Sequence, residues 1–224
     1  ALDEALLDEA ETGPATSGER LRVWESPQPL VVVGRSSPVA AEVDLDACAK
    51  LGIPVLRRAS GGAAVVAGPG CLMYAVVLSY ALRPALRFID HAHRFVLDNM
   101  AAAVREQLAD VRPAGISDLA WRDRKIAGNS VRCKRSHFLY HGTLLYNFPL
   151  DLIESCLRTA PRQPDYRRQR EHIDFVTNAP IDPEQLIQAL ARQWQATPRT
   201  QWPIDRVQAL VAERYGKAEW NLRR

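Results

Sequence analysis

Cysteine is scarce in this sequence, and no motif pairs the few cysteines that are there. Cys48, Cys71, Cys133 and Cys156 form no Cys-x-x-Cys pair and no zinc-like spacing. At 224 residues, the chain is long enough to bury a core without a framework of disulfides. We therefore expect reduced thiols in a cytoplasmic protein.

Long apolar runs and a basic leader are missing as well. No stretch approaches the ~20 apolar residues of a membrane-spanning helix. The first residues, ALDEALLDEAETG, are acidic and lack the basic start of a signal peptide. Since residue 1 is not methionine, we expect a short leader to be missing from the sequence. Internal repeats and low-complexity segments are absent too.

The familiar nucleotide-binding loops are also absent. The stretch GPGCLMY (Gly68–Tyr74) lacks the Lys-Ser/Thr pair of a Walker A loop, and no Gly-x-Gly-x-x-Gly follows a predicted strand. Any nucleotide must be held in another way. The net charge of +3 is too small to indicate nucleic-acid binding, but it suits a site for anionic ligands.

The apolar pattern predicts strands first, one long helix in the middle and helices last. This order is typical of an α+β or mixed α/β fold, with one sheet covered by helices. No linker divides the chain, so we expect a single domain over residues 1–224. The predicted strands are LRVWES, PLVVVGR, PVLRR, LMYAVVLS and two or three more in residues 116–150, with turns at RDRK and CKRS. The predicted helices are ALDEALLDEA, DLDACAKL, Pro84–Asp110 (Phe88, His91, Phe95, Met100, Ala103 and Leu108 on one face), DLIESCLR, DPEQLIQALARQWQ and IDRVQALVAERYG.

Two arginines precede a bare stretch of backbone in VLRRASGGAAVVAG (Val55–Gly68). Strand alternation should point Arg57 and Arg58 to opposite faces. Ser60 adds a hydroxyl, and Gly61-Gly62 exposes backbone N–H groups to a ligand. An arginine beside exposed backbone amides makes a good binding site for a carboxylate or a phosphate. A Gly-Gly bulge with solvent-facing arginines explains the same residues equally well.

A charged hairpin is predicted in DLAWRDRKIAGN. Asp118 enters one strand, Lys125 lies on the return, and Gly128-Asn129 follows. The apolar stretch after Lys125 indicates that its stem lies over a cavity, where its ammonium would neutralise charge during acyl or nucleotidyl transfer. Asp118 would hold either Mg²⁺ or the lysine. A surface hairpin with a local salt bridge is the alternative.

The third candidate is His141-Gly142-Thr143. Together with Cys133 and His137, His141 gives a Cys-x3-His-x3-His spacing. The intervening turn breaks the alternation of faces, and no fourth ligand is in place, so we do not expect a metal site there.

Two further features have plainer interpretations. Cys156 is interpreted as a buried helix cysteine. The basic run Arg167–Arg170, within the connector TAPRQPDYRRQREHIDF, is interpreted as a solvated loop that could meet an acidic partner protein.

Taken in order, RRASGGAAVV, SDLAWRDRKIAGNS and HGTLL resemble the catalytic domain of lipoate–protein ligase A. VVVGRSSP and RYGKAEWN also fit, so the resemblance covers nearly the whole chain. That domain belongs to a group with the biotin–protein ligases and octanoyl transferases. The resemblance implies a central, mostly antiparallel sheet flanked by helices.

The resemblance also implies an activity. The ligases activate lipoate with ATP and Mg²⁺ to give lipoyl-AMP and pyrophosphate. They then pass the acyl group to a lysine of an acceptor domain in a 2-oxoacid dehydrogenase, or of the glycine-cleavage carrier protein. Nucleic acid and membrane partners are not implied.

Family roles carry over to positions that match the motifs. Lys125 matches the catalytic lysine that contacts the acyl carbonyl and phosphate, and Asp118 matches the acidic residue near the phosphate and Mg²⁺. The remaining matched positions are implied to line the acyl-adenylate; they are Arg58, Ser60, Gly61, Gly62, Ala63, Gly128, His141, Gly142 and Thr143.

The sequence departs from the ligase pattern in four places. Ala63 replaces a third glycine, and Ala67-Gly68 replaces a His-Asp pair, which puts ATP use in question. GRSSP (Gly34–Pro38) replaces the pattern Gly-Arg-x-Gln-Asn-Pro of the acyl pocket. We also expect no C-terminal accessory domain, which some family members obtain as a separate protein.

Two other functions stay open. An ATP-independent transferase would move octanoyl or lipoyl groups between carriers through a cysteine nucleophile. Position 117 is Ser117 where some such enzymes have the cysteine, and Cys156 lacks the flanking Pro and Gly of the others. The third hypothesis is a non-catalytic protein that binds acyl carriers.

Overall fold

Two β-sheets of unequal size and a set of flanking helices make up the fold. The computed structural model describes residues 1–16, 18–159 and 163–223. Its strands are β1 (Arg20–Glu25), β2 (Leu30–Val33), β3 (Val55–Arg57), β4 (Val65–Ala67), β5 (Cys71–Ser79), β6 (Arg112–Ala114), β7 (Asp118–Trp121), β8 (Arg124–Cys133) and β9 (His137–Leu145). Its α-helices are α1 (Leu2–Thr12), α2 (Val39–Glu42), α3 (Leu45–Lys50), α4 (Ile89–Arg105), α5 (Asp151–Cys156), α6 (His172–Phe175), α7 (Pro183–Gln193), α8 (Ile204–Leu210) and α9 (Ala218–Asn221), with short 3-10 turns at Pro84–Arg87 and Asp165–Arg167 and a π-turn at Val211–Tyr215.

The large sheet has six strands in the order β1-β5-β9-β8-β7-β6, and every neighbouring pair is antiparallel. The apolar run of β5 is explained by its position, because it lies between β1 and β9 and is covered on both faces. Tyr74 and Val76 pack towards α4, whereas Ala75 and Val77 pack towards α1. The predicted fold class, with a mostly antiparallel sheet flanked by helices, is confirmed.

The sequence did not predict the second sheet. It has the order β3-β2-β4, in which β2 runs parallel to β3 and antiparallel to β4. The Ser-Pro turn between β1 and β2 therefore carries the chain from one sheet into the other. Val31 and Val33 of β2 pack in a core that also contains Cys48 and Cys156. The long stretch Val55–Gly68 is two short strands joined by a loop, and that loop faces the large sheet.

The predicted helix Pro84–Asp110 is shorter than expected. After a 3-10 turn, α4 begins at Ile89 and ends at Arg105, and the unpredicted strand β6 follows. Phe88 is 68% exposed and His91 is also exposed, so the buried face is rotated from the predicted one. It consists of Ala92, Val96, Leu97, Met100, Ala101, Ala103 and Val104, a helical spacing that fits the apolar face of the large sheet. Within the described ranges, no helix combines the length and apolarity needed to cross a membrane.

Candidate active site

The predicted site residues gather on the face of the large sheet that the β3–β4 loop covers. Antiparallel pairing places Asp118 opposite Gly128 and Gly128 opposite Thr143. Ser130 lies opposite His141 one pleat further along. Because residues two apart in a strand share a face, these side chains form adjacent rows on one surface. The hairpin and the His141 strand are thus brought together as the motifs implied.

Lys125 and Asp118 form an ion pair that a tyrosine completes. The Lys125 Nζ lies 2.8 Å from Asp118 Oδ1. The Tyr166 hydroxyl donates to Asp118 Oδ2 at 2.8 Å, so both carboxylate oxygens are engaged. Burial and the adjacent negative charge of Asp118 raise the pKa of Tyr166, which keeps its proton on the hydroxyl. Tyr166 could not be singled out from the sequence, because it lies in the connector 48 positions from Asp118.

Two glycines make room for this arrangement. A Cβ at Gly128 would lie 2.7 Å from Lys125 Nζ and 2.8 Å from Lys125 Cε, so the lysine stem crosses the space that a side chain would fill. A Cβ at Gly142 would lie 2.1 Å from Asn129 Oδ1 and 2.7 Å from the Gly128 carbonyl oxygen. The nearby backbone therefore requires glycine at position 142, whereas at position 128 a side chain would displace the flexible end of Lys125.

Arg58 binds its own loop. Its guanidinium donates to the carbonyl oxygens of Val32 at 3.0 Å and Ala63 at 2.9 Å, and also to the Gly61 carbonyl and the Ser60 hydroxyl. Loss of solvent lowers the pKa of Arg58 to about 10, so it remains protonated at neutral pH. The arginine thus shapes the loop and brings positive charge close to it.

The loop keeps some of its backbone donors free. Among the described residues, no group accepts a hydrogen bond from the N–H of Gly61 or Gly62. These bare amides lie beside the half-buried Arg58, and an anion-binding site at this place stays a prediction.

Arg57, by contrast, is a structural residue. It is 2% exposed and donates to the carbonyl oxygens of Gly34 at 2.6 Å, Ser37 at 2.8 Å and Trp220 at 2.9 Å. Its backbone N–H donates to Asn221 Oδ1 at 3.0 Å. The two arginines point to opposite sides, as strand alternation predicts, and Arg57 ties the C-terminal segment to the β2 loop.

His141 links the loop to the N-terminal helix. Its Nε2 lies 2.5 Å from the Ser60 hydroxyl, and its Nδ1 lies 3.1 Å from Asp3 Oδ2. Asp3 also accepts from Arg22. Burial alone would raise the pKa of Asp3, but the hydrogen bond and charge of His141, together with Arg22, outweigh it and lower the pKa to about 2. Sequence reasoning missed Asp3, because an acidic residue in the first helical turn is ordinary.

A cavity of about 140 Å³ opens beside Lys125. Apolar side chains from β4, β8, β9, α5 and α6 form most of its wall, and Ala63, Gly128 and Thr143 contribute to it as well. Its polar lining comes from Glu42, Lys125, Arg158, Arg167 and His172. The interpretation of Arg167–Arg170 as a solvated loop is wrong for Arg167, which is 5% exposed and lies over the ring of Phe175. Residues 164–175 of the connector therefore contribute to the wall of the cavity, whereas residues 160–162 lie outside the described residues.

The described residues do not fit a resident metal ion. They contain no group of three or more His, Cys, Asp or Glu side chains that could hold one. Asp118 as a Mg²⁺ contact stays a prediction; here its oxygens bind Lys125 and Tyr166. A Mg²⁺ ion would have to arrive with its own phosphate ligands, as this ion commonly does.

The thiols near the site are not poised as nucleophiles. Burial raises the pKa of Cys156, which interacts with the Cys48 thiol, and it raises the pKa of Cys48 to about 12. Burial also raises the pKa of Cys71, near Thr143, to about 12. Cys133 is exposed, and it is not among the residues that line the cavity. The thiolate is the reactive form of cysteine, so the raised pKa values disfavour the reactive form of Cys48, Cys71 and Cys156.

Comparison with known proteins identifies the family. Residues 1–195 match the lipoyl protein ligase A/B catalytic domain. A protein of Aeropyrum pernix named for lipoate–protein ligase A is 29% identical over 197 residues, which cover 88% of this chain and 69% of that protein. The octanoyltransferase LipM of Geobacillus kaustophilus is 25% identical over 261 aligned residues, which cover 100% of this chain and 93% of LipM.

The fold has a solved counterpart. A chain in the structure of a bipartite lipoate protein ligase and its E2 lipoyl domain from Thermoplasma acidophilum superposes with a TM-score of 0.80. The two are 23% identical, and the match covers 98% of this chain and 91% of the other. Since the family match spans most of the sequence, the protein belongs to the lipoyl protein ligase A/B catalytic domain family.

Proposed function

We propose that this protein is a lipoate–protein ligase that uses ATP to activate lipoate and then transfers the lipoyl group to a lysine of an acceptor domain. The observation that carries this proposal is the Lys125 ammonium, held at the cavity beside a loop with free backbone amides and no reactive thiol. Such a site stabilises negative charge on substrates, and it offers no thiol to carry an acyl-enzyme intermediate. The name of the Aeropyrum relative supports the same activity.

The first step joins lipoate to AMP. A carboxylate oxygen of lipoate attacks the α-phosphorus of ATP, the bond to the β-phosphate oxygen breaks, and pyrophosphate leaves. Lys125, whose ammonium is held by Asp118, would neutralise the charge of both the carboxylate and the phosphate. The amides of Gly61 and Gly62 would bind an anionic oxygen. Mg²⁺, brought in by the nucleotide, would supply further charge neutralisation.

The second step forms the amide. The neutral ε-amine of the acceptor lysine attacks the acyl carbon, AMP leaves as the C–O bond breaks, and the amine loses a proton. Lys125 stays near the carbonyl oxygen, where charge develops. We propose lipoyl domains of 2-oxoacid dehydrogenases, or the glycine-cleavage carrier protein, as acceptors. The Thermoplasma ligase, which is described together with its E2 lipoyl domain, supports this choice.

The second candidate is an ATP-independent octanoyl or lipoyl transferase. It is favoured by the match to octanoyltransferase LipM over the whole chain. That reaction needs a nucleophile that forms an acyl-enzyme. Cys156 is the candidate nucleophile for the transferase hypothesis, and its burial against Cys48 counts against this role. The third hypothesis is a non-catalytic protein that binds acyl carriers. The intact Lys125–Asp118 ion pair argues for catalysis instead.

One experiment separates the three functions. The protein is incubated with lipoate, ATP, Mg²⁺ and an apo lipoyl domain, with and without a separate accessory-domain protein, and the products are measured by mass spectrometry. We expect lipoyl-AMP and a lipoylated acceptor. If neither forms under any of these conditions, the ligase proposal fails.

A parallel reaction omits ATP and supplies an octanoyl carrier protein. Transfer that is abolished by Cys156→Ala but retained by the exposed-thiol control Cys133→Ala would establish the transferase. If neither reaction gives product while carrier binding is measurable, the non-catalytic function is supported.

A further inference from the structure

A chain of hydrogen bonds runs from the N-terminal helix to the β3–β4 loop. His141 lies in β9, with Ser130 of β8 opposite it on one side and Ala75 of β5 on the other. Its Nδ1 is 3.1 Å from Asp3 Oδ2 in α1, and its Nε2 is 2.5 Å from the Ser60 hydroxyl at the start of the loop. Two segments that are distant in the sequence are therefore joined through one imidazole ring.

The carboxylate of Asp3 decides which nitrogen of the ring carries the proton. Although burial opposes it, the hydrogen bond and charge of His141, together with Arg22, lower the pKa of Asp3 to about 2, so this carboxylate is ionised at neutral pH. An ionised carboxylate only accepts hydrogen bonds, so His141 Nδ1 must be the donor. In the neutral ring, Nε2 then keeps its lone pair and accepts from the Ser60 hydroxyl.

The Ser60 side chain and backbone are both held by this arrangement. The hydroxyl accepts from Arg58 Nε at 3.2 Å and donates to the His141 ring, so it is used as an acceptor and as a donor. The Ser60 carbonyl accepts from the Arg35 N–H at 2.8 Å. The start of the β3–β4 loop is therefore fixed in orientation as well as in place.

The same contacts set the direction of two backbone amides. In a trans peptide, the carbonyl oxygen and the N–H of the next residue point in opposite directions. The Ser60 carbonyl is turned towards the Arg35 N–H. The Gly61 carbonyl is turned towards the Ser130 hydroxyl, which donates to it at 2.7 Å. The N–H groups of Gly61 and Gly62 therefore point away from these partners, and they are the donors that the proposed reaction uses.

We propose that Asp3 is a positioning residue for the β3–β4 loop, which it holds in place through His141 and Ser60. The carboxylate keeps the ring in its Nδ1–H tautomer, and the ring in turn keeps the serine hydroxyl as its donor. This inference rests on the proposed ligase reaction, in which the loop amides bind an anionic oxygen. Without Asp3 the amides would still be present but no longer held in one orientation, and fixed donors are what stabilise developing charge.

The tautomer of His141 gives a readout that does not depend on activity. The ¹⁵N signals of the ring are measured near neutral pH in the wild type, Asp3→Asn and Asp3→Glu, because a lone-pair nitrogen and a protonated nitrogen have well separated shifts. An amide at position 3 can donate to Nδ1, so Asp3→Asn should favour the Nε2–H tautomer, whereas Asp3→Glu keeps a carboxylate acceptor. Glu9→Gln is the matched control, since Glu9 lies on the same helix and accepts from Arg199 through both oxygens at 2.7 Å.

The wild type and Asp3→Glu should show the Nδ1–H tautomer, and Asp3→Asn should show the other one. In Asp3→Asn, the backbone order parameters of Gly61 and Gly62 should fall from about 0.85 to below about 0.6. The kcat for lipoylation should fall about tenfold, the equivalent of about one hydrogen bond to a charged group, and Asp3→Glu should recover most of it. Glu9→Gln should lower stability without changing the tautomer, the order parameters or kcat, as a purely structural ion pair would.

The outcomes distinguish this proposal from the one on which it rests. An Nε2–H tautomer or a doubly protonated ring in the wild type would overturn the role of Asp3. Order parameters that stay high in Asp3→Asn would overturn it too, whatever the tautomer. If the wild type makes no lipoyl-AMP, the ligase proposal fails, while the tautomer and the order parameters still show whether Asp3 holds the loop. If Asp3→Asn does not fold, Ser60→Ala breaks the same chain at its other end, and unchanged order parameters in that variant contradict the proposal.

Discussion

The ammonium of Lys125 lies 2.8 Å from a carboxylate oxygen of Asp118, and its stem crosses the place where residue 128 has no side chain. The Asp118 side chain is 9% exposed and that of Lys125 is 28% exposed, so the pair sits at the boundary between the core and the cavity. Three separate features of the chain therefore hold one charged atom: a carboxylate, a glycine and the tyrosine that binds the other carboxylate oxygen.

Removal of the ammonium should abolish activity without unfolding the protein. For Lys125→Ala, we expect kcat/KM for lipoylation to fall by about 100-fold or more, the usual loss when a charge-stabilising group is deleted. Folding should persist, because Tyr166 still donates to Asp118. The exposed lysine variant Lys50→Ala serves as the control and should keep full activity. Near-normal turnover by Lys125→Ala would remove this lysine from the mechanism.

Alanine substitutions at Gly128 and Gly142 should have different effects, the first mainly on activity and the second on stability. In Gly128→Ala, the new methyl group meets the flexible end of Lys125, which can swing away. We expect activity to drop about tenfold or more and the free energy of unfolding to change by less than about 1 kcal/mol.

In Gly142→Ala, the methyl group meets the Gly128 backbone and Asn129, which cannot move as easily. Overpacking there should cost about 2 kcal/mol in the free energy of unfolding. Urea denaturation and initial rates on both variants provide the check. Equal stability losses would mean that Gly128 has a general packing role.

Loss of the Tyr166 hydroxyl should affect catalysis as well as stability. Tyr166→Phe removes one hydrogen bond to a carboxylate, and Tyr146→Phe removes a comparable bond to Glu25 away from Lys125. Both variants should lose about 1.5 kcal/mol or more of stability, as expected for bonds to charged groups. Only Tyr166→Phe should also lower kcat, because Asp118 can then shift and carry Lys125 with it. Equal kcat values for the two variants would make Tyr166 a stabilising residue only.

The Asp3 carboxylate should stabilise the fold in a pH-dependent way. Its pKa is lowered from 3.8 to about 2, so the folded state favours the charged form. This stabilisation is fully present above the unfolded pKa and is lost as the pH falls through 3.8 towards about 2. It should amount to about 2 kcal/mol near neutral pH.

Urea unfolding of the wild type and Asp3→Asn at about pH 6 and about pH 3 measures this contribution. The gap between the two proteins should narrow at the lower pH. Asp46→Asn, at an exposed position, is the control and should leave stability unchanged at both pH values. A gap that is independent of pH would show that the charge of Asp3 does not carry the effect.

Local chemistry explains why so much of the site could be predicted. The Asp118–Lys125 pair lies within one hairpin, whose turn brings the two residues together whatever surrounds them. The glycines of the β3–β4 loop also stand out in the sequence, because bare backbone between apolar strands is unusual. Arg57 and Arg58 were separable by strand alternation alone, although only the structure shows Arg57 bound to the C-terminal segment.

Contacts between distant segments could not be predicted in the same way. Tyr166 reaches Asp118, and Asp3 reaches His141, across 48 and 138 positions of the chain. Neither residue has a local pattern, because a tyrosine in a loop and an acidic residue in a first helical turn are both common. The burial of Cys156 in a helix was predicted, but its contact with Cys48 from another helix was not.

By itself, the sequence determined the α+β class, the charged hairpin, the bare loop and the order of motifs that marks the family. These features depend on hydrophobic periodicity and on the chemistry of neighbouring residues, which any folded state of the chain must respect. The tertiary structure alone decided that there are two sheets and that Arg167 and His172 of the connector line the cavity. Long-range packing sets these features, because burial and hydrogen-bond partners are properties of segments brought together and not of any one segment.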